Sequence, residues 1–162
     1  MRDDMRLLIL LLLLSMASCG TSRPVPILVE VQDVVIDEIF GEVYDEFMDE
    51  AETRGYYADL SNFKGMRVAD LSVFGEGVMG VCIHPVGTIY ISPKVLGLAE
   101  VFQRAVIVHE LIHCTFGFTR HTEKGLMGPQ LNPDYILNTP WDKVLDEAFS
   151  QIDKIYRVEP KG

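Results

Sequence analysis

The chain is poor in basic residues: Lys and Arg number 14 against 24 Asp and Glu, a net charge of −10. Phosphate backbones are held by basic surfaces, so this balance argues against a nucleic-acid partner, and the acidic excess reports solubility instead. Cysteine is scarcer still, at three residues, and histidine is held to four. Long apolar runs are missing too. The run Leu7–Leu14 falls well short of the roughly 20 residues that a membrane-spanning helix needs. No internal repeat or low-complexity segment follows it. Domains commonly hold roughly 100–150 residues, so a chain of 162 residues has room for one and not for a second.

What is present begins with a leader. Residues 1–20, MRDDMRLLILLLLLSMASCG, join a charged start containing Arg2 and Arg6 to an apolar run and then to small residues, the form of an export signal. Met16, Ala17 and Ser18 lead directly into Cys19, a junction that resembles a bacterial lipobox. The resemblance implies a signal peptide over residues 1–18, cleavage before Cys19 and a lipid on that cysteine. It also implies anchoring to a membrane of the bacterial cell envelope. Thr21 stands where an aspartate is associated with inner-membrane retention, so the expected location is the outer membrane, facing the periplasm or the cell surface. Residues 19–25 then form a lipidated tether, and residues 26–162 the folded domain. In an exported protein Cys82 and Cys114 are free to pair. Two buried apolar thiols are the other reading.

Within the domain, ILVEV at 27–31 has the branched composition of a strand. From Asp33 to about Arg54 the apolar residues Ile36, Phe40, Val43, Phe47 and Ala51 recur at helical spacing, with acidic residues filling much of the rest. Those acids lack the close loop spacing of a calcium site and form a solvated face. Three short strands are expected at 66–74, 78–83 and 88–92, punctuated by Gly75, Gly77, Gly80, Pro85 and Gly87. His84 falls in a link between two of them, as a turn residue. Ser92–Pro93 has the form of a helix start, with Gly97 setting its first turn apart. A long apolar helix then runs to Gly117, and residues 141–156 form a final amphipathic helix. The class expected is α+β: a small mixed sheet packed on a long helix and on the apolar helix, with a helix at the C-terminus.

The apolar helix carries HELIH at 109–113. Residues four apart lie one turn above each other, so His109 and His113 aim two imidazoles at one point. Zinc is the natural occupant, since a catalytic zinc has three protein ligands and a position left for water. Glu110 projects along the edge of the same face, where it can reach that water as general base. Burying these three groups unsatisfied would cost a few kcal/mol in so apolar a helix, so a metal has something to compensate. The helix stops at a glycine suited to a left-handed cap, and His121 follows.

Here the chain resembles the metzincin clan of zinc peptidases, closest to small matrixin-like or archaemetzincin-like domains. The clan pattern is HExxHxxGxxH followed by a methionine turn. This chain has HExxH at 109–113, Gly117, His121, and Met127 in GLMGP. Its glycine comes one residue later than in the pattern and its third histidine two residues later. The resemblance implies a zinc site of His109, His113 and His121, Glu110 as the catalytic base, and Met127 in the methionine turn. It further implies peptide or protein substrates laid along the strand at 78–83. Tyr135 is a conceivable helper for the oxyanion. Two alternatives stay open. One is a gluzincin-like site in which Glu147, from DEAFSQID in the final helix, is the third ligand. The other is a metal-binding lipoprotein without turnover.

Overall fold

A computed structural model describes residues 34–156, and side chains as far as Ile152. The signal over 1–18, the lipidation at Cys19, the tether over 19–25 and the strand expected at 27–31 lie outside the described residues. No helix among the described residues is long and apolar enough to cross a membrane.

The described chain is α+β. Four strands, β1 (Val35–Ile36), β2 (Gly65–Val68), β3 (Gly80–Ile83) and β4 (Thr88–Ile91), form a mixed sheet in the order β1-β2-β4-β3. β2 runs parallel to β1 and to β4, whereas β3 is antiparallel to β4. The helices are α1 (Gly41–Thr53), α2 (Glu100–Phe116), α3 (Pro133–Asn138) and α4 (Trp141–Tyr156). Helix α2 packs on β3 and β4 and also meets α1 and α3.

The apolar periodicity of α1 does its expected work, with Phe40, Phe47 and Ala51 buried and Val43 packed against the core. The helix begins later than residue 33. Val35 and Ile36 are drawn into the sheet beside Gly65 and Met66, and Asp37 turns its carboxylate to accept the Val68 N–H at 2.9 Å. Pairing with β2 thus overrides helical spacing, and a 3-10 turn at Glu38–Phe40 bridges the two. A second correction concerns the strand expected over 66–74, which ends at Val68. Asp70 accepts the Ser72 N–H at 2.9 Å, an Asx turn that leaves the ladder. Ser72–Phe74 then coil into a 3-10 turn.

Ser92–Pro93 opens a separate 3-10 turn, Pro93–Gly97, with the Ser92 hydroxyl accepting the Lys94 N–H. Helix α2 follows, buried along nearly all of Ala105–His113. It shares one apolar cluster with Met66, Ile89 and Ile91 from the sheet and with Leu145 and Phe149 from α4. Cys82 of β3 and Cys114 of α2 form a disulfide, which decides between the two readings left open for this pair.

Candidate metal centre

The site is built on the last two turns of α2 and on the loop that follows. His109, Glu110 and His113 are 8%, 7% and 7% exposed. Their neighbours Val108, Leu111 and Ile112 bury the rest of the helix surface, so both imidazoles are held at the one polar margin. Gly117 then ends the helix at φ 62° and ψ 22°. A side chain adopts that left-handed conformation only at a cost, so glycine is the residue that allows the chain to reverse here. Phe118, the next residue, is fully buried. It anchors the loop in the core, while Thr119 and Arg120 pass through solvent.

This arrangement absorbs the late spacing. One added residue lies before Gly117, within α2, and the other in the loop whose Thr119 and Arg120 are exposed, where closure cost grows only slowly with length. His121 still returns to the helix. Its Nε2 lies 3.3 Å from the Nε2 of His109 and 3.3 Å from that of His113, and those two are 3.0 Å apart.

The protons on these rings are placed by their other nitrogens. The His109 Nδ1–H donates to the Leu126 carbonyl at 2.7 Å, and the His113 Nδ1–H donates to the Phe118 carbonyl. Both Nε2 atoms therefore present lone pairs toward the common centre. Bare lone pairs at such separations repel, and hydrogen bonds between them would need protons that the Nδ1 atoms hold. A cation at the centre resolves this. Nitrogens on a tetrahedral ion at about 2.0–2.1 Å stand roughly 3.3–3.4 Å apart, close to the triangle seen here. Burial lowers the pKa of His109 to about 4, helped by the two neighbouring imidazoles and opposed by the Leu126 carbonyl. It lowers that of His113 as well, against the Phe118 carbonyl. Both rings stay neutral and ready to ligate. Among the described residues, this trio is the group of His, Cys, Asp or Glu side chains that can hold a metal ion.

Met127 is fully buried in the core, and its backbone braces the site. The Thr122 N–H, one residue after His121, donates to the Met127 carbonyl at 2.8 Å. Leu126, one residue before it, supplies the carbonyl that fixes His109. The turn is closed by the Gly128 N–H on the Gly125 carbonyl at 3.2 Å. Glu147 is placed elsewhere: its carboxylate accepts the Tyr135 hydroxyl at 2.8 Å and is not part of the histidine cluster. Burial and then Glu147 raise the Tyr135 pKa, so its hydroxyl keeps its proton. His84 stays exposed in the β3–β4 turn.

Glu110 points to the sheet. Burial raises its carboxyl pKa to about 7, while a hydrogen bond from the Cys82 N–H favours the charged form. Three contributors to the site were not foreseen from sequence. The carbonyls of Phe118 and Leu126 belong to the backbone, and no residue type marks them. Gly80 of β3 did carry a signal, since glycine inside a strand marks the close approach of another group, and Glu110 is that group.

The centre thus brings together three convergent imidazoles, a donor set that could hold one metal ion, and the helix that bears two of them also carries a buried carboxylate beside a sheet strand. Comparison of the chain with protein-family models, with curated proteins and with solved structures finds no match.

Proposed function

We propose that this chain is a zinc-dependent metallopeptidase of metzincin-like kind, hydrolysing peptide bonds at the His109–His113–His121 centre. The observation that supports it best is the convergence of three Nε2 atoms to within 3.0–3.3 Å of one another, with Glu110 buried one residue after the first of them. A purely structural zinc site closes with a fourth protein ligand and has no use for a buried acid beside it.

Zinc, when held by His109, His113 and His121, supplies Lewis acidity that brings the pKa of a coordinated water to near 7. The protein does the rest. Glu110 accepts the proton of the attacking water at its carboxylate and passes it to the leaving amine nitrogen. The peptide lies along β3, the end strand of the sheet order. The Ser92 N–H bonds the Met79 carbonyl at 2.8 Å, which sets the antiparallel phase. Residues 79, 81 and 83 therefore turn their polar groups toward β4, whereas Gly80 and Cys82 turn theirs outward. The Cys82 N–H is taken by Glu110, so an extended substrate adding itself to that edge would use the Gly80 N–H and the carbonyls of Gly80 and Cys82. The lipid on Cys19 would keep this chemistry at the bacterial cell envelope.

The test is metal content and hydrolysis of casein and of a peptide library by the full chain, beside Glu110→Gln. Bound zinc in both, with turnover reduced about 10²–10⁴-fold in the variant, is expected for loss of a general base. Equal turnover in both would sink the proposal. Zinc without cleavage of any peptide would favour a non-catalytic metal-binding lipoprotein.

A further inference from the structure

Gly80 has no backbone reason to be glycine. It is absent from the glycines with positive φ, so any side chain fits its conformation. Space is what excludes one. A Cβ at this position would stand 2.7 Å from Glu110 Cγ, 2.9 Å from its Oε1 and 3.1 Å from its Cδ. Two residues along the same strand, the outward N–H of Cys82 donates to the Glu110 carboxylate. The Cys82 side chain is bonded to Cys114, the residue that follows His113. One short strand thus gives the carboxylate room at Gly80 and a hydrogen bond at Cys82, and a covalent tie holds it to the helix that bears the histidines.

We propose that Gly80 and Cys82 are positioning residues: together they form a seat on β3 that fixes the Glu110 carboxylate relative to the metal centre. The proposal rests on Glu110 being the base, and extends that reading from the residue to the strand that aims it. Positioning matters because a displacement of roughly 1 Å at a catalytic group can lower a rate by about 10²-fold. Gly80→Ala separates the presence of the carboxylate from its placement. The added methyl meets the Glu110 side chain from its Cγ outward and no backbone atom within 3.1 Å. Glu110 therefore moves, and the fold does not have to.

Two measurements test this on the full-length chain. In the first, Gly80→Ala keeps the wild-type circular dichroism and zinc content, and its kcat falls about 10–100-fold with KM within about twofold. The second needs neither metal nor substrate. The amide of Cys82 faces away from β4, so Glu110 is its shield, and its hydrogen exchange in metal-free protein should speed up about tenfold or more in Glu110→Ala and in Gly80→Ala. Unchanged exchange at Cys82 in Glu110→Ala, which leaves Gly80 intact, would overturn the seat even if Gly80→Ala did not fold. So would wild-type kcat in Gly80→Ala where Glu110→Gln is inactive. If Glu110→Gln keeps full turnover, the base assignment is what fails; exchange at Cys82 that still depends on Glu110 and Gly80 would then support the seat alone.

Discussion

At the scale of single residues, the third ligand is the assignment on which the nature of the site turns. His121 is exposed, yet its Nε2 stands 3.3 Å from both partner nitrogens. Glu147 sits on α4 with its carboxylate occupied by Tyr135. Losing a residue that merely orients a ligand commonly weakens metal binding about 10–100-fold, and losing the ligand itself should exceed that. His121→Ala is therefore expected to weaken zinc binding by more than about 100-fold, with Glu147→Ala within a few-fold of wild type, as read by competition with a chromophoric chelator. The reverse order would make the site gluzincin-like. The convergence of His109 and His113 was legible in the sequence because helix geometry alone puts i and i+4 on one face. His121 was legible only as a candidate. Its return depends on the left-handed Gly117 and on Phe118 entering the core, and burial of one loop phenylalanine has no periodic signature.

At the scale of elements, the relation between β3 and α2 carries the site. Besides packing, the Cys82–Cys114 disulfide joins them across a sequence separation of 32 residues. In the chain-entropy account, closing a loop of that length stabilises the fold by about 3–4 kcal/mol. The Cys82→Ala, Cys114→Ala double variant should lose stability of this order in urea denaturation. A loss below about 1 kcal/mol would show that packing alone holds the strand to the helix. The disulfide could not be read from sequence, since two cysteines allow one pairing but do not require it. Elements with a long apolar period were legible: α2 ends at the expected glycine, and α4 buries Val144, Leu145, Ala148 and Phe149. Short elements were less so. Val35–Ile36 joined the sheet instead of the helix, and residues 72–74 coiled because the Asp70 side chain captured a backbone N–H. In both places one hydrogen-bonded partner outweighed a pattern only a few residues long.

At the scale of the whole molecule, the question is how far folding depends on the metal. The core does not run through the histidines. Phe149 stacks on Tyr56 and Phe47 at ring-centroid distances of 4.6 and 6.1 Å, and meets Phe116 edge-on at 5.8 Å. This aromatic group joins α1, the end of α2 and α4, while Met66, Ile89 and Ile91 close the sheet face. Such a core should stand without an ion, unlike small metal-nucleated domains that unfold when chelated. The parts that depend on the centre are local: the loop from Phe118 to Gly128, held to α2 through His121 and through the Leu126 and Phe118 carbonyls. Chelation should therefore leave the far-ultraviolet circular dichroism and a single cooperative melt in place. Stability should fall by the binding contribution alone, about 2.7 kcal/mol when zinc had stood at 100 times its Kd. Amide exchange should accelerate mainly over residues 118–128. Global loss of helical signal on chelation would instead place the metal at the centre of folding, and with it a structural role for the three histidines.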